Sequence, residues 1–397
     1  MTISRRGFVI SATVGAALGR VRLSSAAGLS PAAGLSSEPW LEVDGAAITH
    51  NVQAIARLTG GRPIIAVAKN NAYGCGCKEV GPILDGLREV WGIAVVRVDE
   101  AMALRDAGVK KPVLLMARCE PKEMEELLAR DIRVTPDEST ASELVRLLRR
   151  GRQAAVHVYV DGGMHRMGVP AERVGDLMEV LAQAPTLRIE GMFTELTEDA
   201  DFDREIASKL QGLSYGLGMR GRKAGLLHAA SSHAVWHIPE THLDAVRPGL
   251  AVYGGYVSAE AWQRGELKAA YRLRAPVVKL THLEAEEGVS YHRRWRAIEP
   301  SWVATLPVGH VDGYPSGATK GCEVLIGEQL YPVIGTVSAS HTIIALGSTT
   351  SVKTGDVATL VGPDHPAIHP NEVAKRAGWS EYNMFMHLNP LLKRTRV

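Results

Sequence analysis

The run Ile64-Ile65-Ala66-Val67-Ala68-Lys69-Asn70-Asn71-Ala72-Tyr73-Gly74-Cys75-Gly76 places one lysine at the end of an unbroken apolar stretch and follows it with small residues. Continuous apolar residues, rather than alternating ones, predict a strand buried on both faces, as in a parallel sheet covered by helices. Two readings of Lys69 then compete. It is either a solvated strand end, which the turn-forming pair Asn70-Asn71 suits, or an amine in a desolvated pocket. In such a pocket burial lowers the pKa and makes the amine a nucleophile toward an aldehyde near neutral pH.

Working outward, strand patterns at residues 91–95, 112–116, 155–160 and 187–193 alternate with amphipathic stretches at 99–107, 120–130 and 140–149. That is the rhythm of a (β/α)8 barrel, which a doubly wound sheet shares. The absence of a Gly-x-Gly-x-x-Gly fingerprint after the first buried strand favours the barrel. From about residue 271 the pattern changes to short strands at 273–281, 302–308, 323–326, 329–337, 342–345 and 357–361, separated by Gly, Pro and Asp turns. Helical spacing returns only at 371–377, so a mostly-β domain is expected over 271–397 behind a barrel at 38–270. The alternating strand at 40–44 precedes a helix at 46–58, and this first strand can pack with the β domain.

Ser4-Arg5-Arg6-Gly7-Phe8-Val9-Ile10 is a twin-arginine pattern, and the apolar run behind it ends by Gly19, too short to span a bilayer. Residues 1–37 therefore read as an export signal and disordered leader, rather than as a basic tail. The mature chain is expected to begin between residues 25 and 38 and to be periplasmic, with no membrane span. Lys and Arg total 45 against 43 Asp and Glu, and no basic block occurs, which argues against nucleic acid as a partner. Cys75, Cys77, Cys119 and Cys322 are too few for a disulfide scaffold and lack metal-ligand spacing, so they read as free thiols or at most one bridge, and no metal is expected.

Five further strings carry chemistry: Asp161-Gly162-Gly163-Met164-His165-Arg166-Met167-Gly168-Val169, His228-Ala229-Ala230-Ser231-Ser232-His233-Ala234, Asp244-Ala245-Val246-Arg247-Pro248-Gly249-Leu250-Ala251-Val252-Tyr253-Gly254, Gly288-Val289-Ser290-Tyr291-His292-Arg293-Arg294-Trp295-Arg296-Ala297 and Ser380-Glu381-Tyr382-Asn383. With the lysine segment and the opening at residues 40–51, they resemble the alanine racemase family, pyridoxal-phosphate enzymes with a (β/α)8 barrel and a C-terminal β domain. The resemblance runs over residues 38–397. It implies that Lys69 is the Schiff-base lysine, that Tyr73, Ser232, Tyr382 and the backbone of Gly249 and Leu250 hold the phosphate, and that Arg247 bonds the ring nitrogen. An always-charged donor there keeps the nitrogen from taking a proton and so weakens the ring as an electron sink. Arg166 would touch the cofactor's phenolic oxygen and the substrate carboxylate. Racemisation needs an acid and a base on opposite faces of Cα. The resemblance gives these roles to Lys69 and to Tyr291, the latter from a second subunit, and hence implies a homodimer with shared active sites.

Five positions depart from the family pattern. Tyr159 stands where a lysine, commonly carbamylated, braces the arginine, and Glu195 stands where a histidine packs on the ring. Ala339-Ser340 replaces a Met-Asp pair that closes the substrate pocket, and His310 replaces a tyrosine. The cofactor anchors are kept, and of the substrate wall formed by Arg166, Glu195, His310, Ala339 and Ser340 only Arg166 follows the family; the rest is rebuilt. The implied activity is an amino-acid racemase with an altered or broad substrate range. Two alternatives are a pyridoxal-phosphate lyase or dehydratase of a β-substituted amino acid, and a non-catalytic pyridoxal-phosphate-binding protein. The β domain and Tyr291 weigh against the last.

Overall fold

The computed structural model describes residues 37–149 and 151–397; the twin-arginine leader lies outside the described residues. The lysine strand is Ile64–Val67, with all four residues buried. It runs parallel to Val90–Val95, which pairs with Val113–Leu115, which pairs in turn with Ile132–Arg133. A second parallel group joins Ala154–Asp161 to Leu187–Phe193 and Leu226–His228. Single parallel bridges from Val134 to Val156, from His228 to Ala245 and from Val246 to Ile64 close the ring. The eighth position is thus a short stretch at 245–246 rather than a full strand, and the sheet is a closed (β/α)8 barrel, not an open doubly wound sheet.

The helices between the strands cover it with one apolar face each. Ala141–Leu148, for example, buries Ala141, Leu144, Val145, Leu147 and Leu148, the spacing of a helix laid along a sheet. Barrel closure also brings distant segments together. Ile65 N donates to Val246 O at 2.8 Å and Val67 N to Pro248 O at 2.9 Å, so the Arg247-Pro248-Gly249 string lies beside the end of the lysine strand.

The C-terminal part is a nine-stranded sheet in the order Lys279–Leu283, Ser301–Leu306, Thr342–Gly347, Gln329–Ile334, Glu323–Ile326, Val357–Val361, Tyr271–Pro276, Trp40–Val43, Lys393–Arg396. The first strand of the described chain belongs to this sheet, antiparallel to Tyr271–Pro276 and parallel to Lys393–Arg396. Barrel structure proper begins with the helix Gly45–Leu58, whose N-terminus is capped by Asp44 Oδ1 accepting from Ala47 N at 2.9 Å. Beyond the expected helix, which is Pro370–Ala377, lies a second, Glu381–Met386, that the sequence reading did not anticipate. Six residues are too few for a period to show, but Ser380 Oγ caps it by accepting from Asn383 N at 3.3 Å, which puts Tyr382 in its first turn. All four cysteines are free and buried.

Candidate active site

Lys69 is followed by four residues with positive φ: Asn70 at 55°, Asn71 at 54°, Ala72 at 54° and Tyr73 at 51°. A left-handed turn costs roughly 1–2 kcal/mol per L-residue, and least for Asn, so the Asn pair eases half of it. Its other supports are long-range. Asn71 N donates to Glu100 Oε1 at 3.1 Å, Cys77 N to Asn71 Oδ1 at 2.9 Å, and Asn70 Nδ2 to Met386 O at 2.6 Å. Glu100, buried, also accepts from the Val96 and Arg97 amides. The sequence shows it only as a helix-start acid. Burial lowers the Lys69 pKa, helped by Arg166 and Arg247 and opposed by Glu195 and Glu100.

The left-handed turn delivers Tyr73 to a buried position, stacked on Tyr253 with ring centroids 4.9 Å apart. Tyr253 is tied to the lysine strand by its hydroxyl, which donates to Val67 O at 3.1 Å. Gly249 N and Ala251 N both donate to Ser232 Oγ, at 3.0 and 3.1 Å, so backbone donors at the start of the turn Leu250–Tyr253 converge on one hydroxyl. A Cβ on Gly249 would collide with the Tyr73 hydroxyl; only glycine lets that phenol approach the turn. Burial, then the neighbouring Tyr382 and Glu195, push the Tyr73 pKa up. Tyr382 is pushed up to about 12, first by burial and then by Glu198, Glu381 and Glu195. Two neutral phenol donors, a serine hydroxyl and oriented backbone N–H groups make a cradle for a dianionic phosphate.

Arg247 closes one side of the site and is buried, with its guanidinium 5.0 Å above the Phe193 ring. Phe193 also stacks with Tyr159, at 4.5 Å, and with His228, at 5.0 Å. Arg247 Nη1 donates to His228 Nδ1 at 2.9 Å, so His228 carries its proton on Nε2 and donates it to His157 Nδ1 at 2.8 Å. His157 Nε2 then faces Glu190 Oε2 at 3.7 Å, an electrostatic contact rather than a hydrogen bond. Arg133 Nε donates to the same carboxylate oxygen at 2.9 Å. A polar column thus fills the barrel interior beneath Arg247. Burial and Arg247 hold the His228 pKa well below its ordinary value.

Glu195 sits between two guanidinium groups: Oε1 is 2.7 Å from Arg247 Nη2 and Oε2 is 3.3 Å from Arg166 Nη2. Burial alone would raise its pKa, but Arg247, Arg166 and Lys69 bring it below the usual carboxylate range. The Tyr159 phenol faces Glu195 and Arg166, and its pKa is pushed up to about 12 by burial first and Glu195 next. A neutral phenol therefore contacts the arginine that the family braces with a carbamylated lysine.

Lys69, Tyr73, Arg166, Glu195, Ser232, Arg247, Gly249, Leu250 and Tyr382 come together at this barrel mouth. Tyr291, His310, Ala339 and Ser340 form a second group on the β domain. Ser290 Oγ donates to Thr336 O at 3.2 Å, His310 N to Ser338 O at 3.0 Å and Val311 N to Ala339 O at 3.0 Å, which ties the segments carrying Tyr291 and His310 to the loop at 336–339. Tyr291 is 66% exposed there. Sequence reading missed Glu100, His157, Glu190 and the Thr194 carbonyl; none lies in a motif, and only closure of the barrel aligns them.

A half-buried amine of lowered pKa, a phosphate cradle and an arginine over the same mouth define a barrel enzyme fitted to a phosphorylated aldehyde, and this donor set suits pyridoxal phosphate. Residues 43–257 match the family model of the alanine racemase N-terminal domain, and residues 270–396 that of its C-terminal domain. The alanine racemase of Clostridium perfringens is 33% identical over 356 residues, 87% of this chain and 92% of that one. Two solved structures are similar over nearly the whole chain. Alanine racemase of Clostridium difficile 630 has a TM-score of 0.83 at 25% identity, covering 92% of this chain and 97% of that one. Histidine racemase from Leuconostoc mesenteroides subsp. sake has a TM-score of 0.82 at 25% identity, covering 91% and 98%. The chain belongs to the alanine racemase family.

Proposed function

We propose that the chain interconverts L- and D-amino acids as an exported homodimer, with pyridoxal phosphate held at the barrel mouth. It is an amino-acid racemase, an isomerase. The observation that carries the reading is the juxtaposition of Lys69, a half-buried amine of lowered pKa, with the Ser232–Gly249–Ala251 cradle. Bound there, pyridoxal phosphate supplies an aldehyde for the amine and a conjugated ring that withdraws the electron pair left when Cα loses its proton. Ser232, Tyr73, Tyr382 and the Gly249 and Leu250 amides hold the phosphate, and Arg166 receives the substrate carboxylate bidentately. Lys69 Nζ removes or returns the proton on one face of Cα. The Tyr291 hydroxyl, from a second copy of the chain, serves the other face, so the proton taken on one side is replaced on the opposite side and the configuration inverts. The exposure of Tyr291, on a segment tied to the loop that precedes Ser340, supports a site completed across an interface.

The substrate side chain is longer than that of alanine. Ala339-Ser340 leaves room where the family closes the pocket with Met-Asp, and a structurally similar enzyme is a histidine racemase. Arg5-Arg6 directs the folded protein out of the cytosol by the twin-arginine route, to the periplasm. The test is purification of the full chain, absorbance and borohydride reduction with and without amino acids, and chiral chromatography of the products, with Lys69→Ala as control. Inversion of an amino acid that Lys69→Ala abolishes is expected. A Lys69→Ala protein that still binds the cofactor covalently, or release of a keto acid and ammonia without inversion, overturns the reading.

A further inference from the structure

Arg247 has five N–H donors, and the four on its terminal nitrogens are engaged within the protein. Nη1 donates to His228 Nδ1 at 2.9 Å and to His228 O at 3.2 Å, and Nη2 to Thr194 O at 2.9 Å and to Glu195 Oε1 at 2.7 Å. His228 is buried and neutral, so its Nδ1 accepts from Nη1 and supplies no proton. The second oxygen of Glu195 lies 3.3 Å from Arg166 Nη2. The groups facing this carboxylate are Arg247, Arg166, Lys69 and the Tyr159 phenol, so three cations keep it ionised against its burial. A ring nitrogen brought to Arg247 meets an arginine whose charge is already paired, with an ionised carboxylate at the same corner of the site.

Resting on the cofactor reading above, we propose that Glu195 is a positioning residue that keeps the ring nitrogen of bound pyridoxal phosphate protonated, acting through Arg247, whose charge its carboxylate neutralises. A lone guanidinium at that nitrogen disfavours a proton by like-charge repulsion. A carboxylate in hydrogen-bond contact with the guanidinium cancels this and favours the cationic ring. The proton comes from solvent as the cofactor binds, and no covalent bond changes. The protonated ring withdraws electrons from Cα more strongly, the reverse of what Arg247 alone would give. The Glu195 substitution therefore alters the electronics of the site as well as the shape of its wall.

The full-length chain loaded with ring nitrogen-15-labelled pyridoxal phosphate provides the test, because the nitrogen resonance separates protonated from unprotonated rings without any turnover. The parent protein is expected to show the protonated position near neutral pH, and Glu195→Gln and Glu195→His to shift to the unprotonated one while still fixing labelled cofactor on borohydride reduction. An unprotonated resonance in the parent, or a protonated one retained in either variant, overturns the role of Glu195 and leaves the cofactor reading standing. A parent protein that takes up no labelled cofactor overturns both. Should Glu195→Gln fail to fold, Glu195→His decides.

Discussion

Replacing Glu190 with glutamine probes the column beneath Arg247. The Glu190 side chain is 8% exposed, with Arg133 Nε at 2.9 Å, Arg188 Nη2 at 2.5 Å and His157 Nε2 at 3.7 Å. Burial alone would raise its pKa, but His157 and the two arginines reverse this and bring it from 4.5 to about 2. The unfolded carboxylate takes up a proton near 4.5 while the folded one resists until about 2. Its stabilisation is therefore complete above pH 4.5 and lost as pH falls through the folded value. At about 1.36 kcal/mol per pH unit the contribution is about 3 kcal/mol at pH 7 and about 1.4 kcal/mol at pH 3. Glutamine cannot ionise, and it also leaves Arg133, 10% exposed, without this buried partner, a defect that costs about 3–5 kcal/mol. His157 does not compensate, because burial lowers its pKa and keeps it neutral. Urea unfolding of both proteins at pH 7, 5 and 3 is the assay. The expected gap is about 3–5 kcal/mol at pH 7, narrowing by about 2 kcal/mol at pH 3. A gap of equal size at both ends would refute the assignment of a low-pKa carboxylate to this column.

Gly249→Ala should weaken cofactor binding about tenfold or more with the fold intact, since the new Cβ meets the Tyr73 hydroxyl and overpacking of this kind costs about 1–3 kcal/mol. Unchanged affinity by absorbance titration would show that Tyr73 is free to move. Replacing Arg5 and Arg6 with lysine should retain the protein in the cytosol, because twin-arginine recognition reads the guanidinium pair and not charge alone; unaltered yield in the periplasmic fraction contradicts it. Filling the wall with Ala339→Met removes room for roughly three methylene-sized groups at about 0.8 kcal/mol each, so kcat/KM should fall at least tenfold for long substrates relative to alanine. If a panel including serine, histidine, lysine and arginine keeps its ranking, position 339 does not set specificity.

Much of this site is legible in the chain because its anchors lie in contiguous strings whose local geometry does the work. Lys69 to Gly76 holds both the lysine and the tyrosine of the cradle, and Arg247 to Ala251 holds the arginine and the backbone donors. Barrel closure between residues 64–67 and 246–248 is read from the alternation of strand and helix patterns, even though the eighth strand is only a pair of bridged residues. Local reading fails where partners are far apart in sequence. Ala72 and Tyr73 give no sign of a left-handed backbone, because what stabilises it is Glu100 and a carbonyl at Met386. The strand Trp40–Val43 is legible as a short alternating strand able to join the β domain, but its neighbours, Tyr271–Pro276 and Lys393–Arg396, are distant in sequence and only the fold names them.

The departures at 159 and 195 are visible singly, yet their meaning comes from their joint geometry. Tyr159 and Glu195 both engage Arg166, and Glu195 also engages Arg247. A neutral phenol bracing Arg166 carries no charge, whereas a carbamylated lysine carries a negative one. With Tyr159 in its place, Glu195 is the carboxylate that balances Arg166 and Arg247 together. The two substitutions therefore act as one change. Tyr159→Lys should be poorly tolerated, and more poorly still once Glu195 is neutralised, because an uncarbamylated lysine there adds a cation beside Arg166 and Arg247 and Glu195 is the anion that balances them. A double-mutant cycle on Tyr159→Lys and Glu195→His, read by thermal unfolding and cofactor affinity, should show a coupling of about 0.5–3 kcal/mol, and strict additivity would separate the two positions.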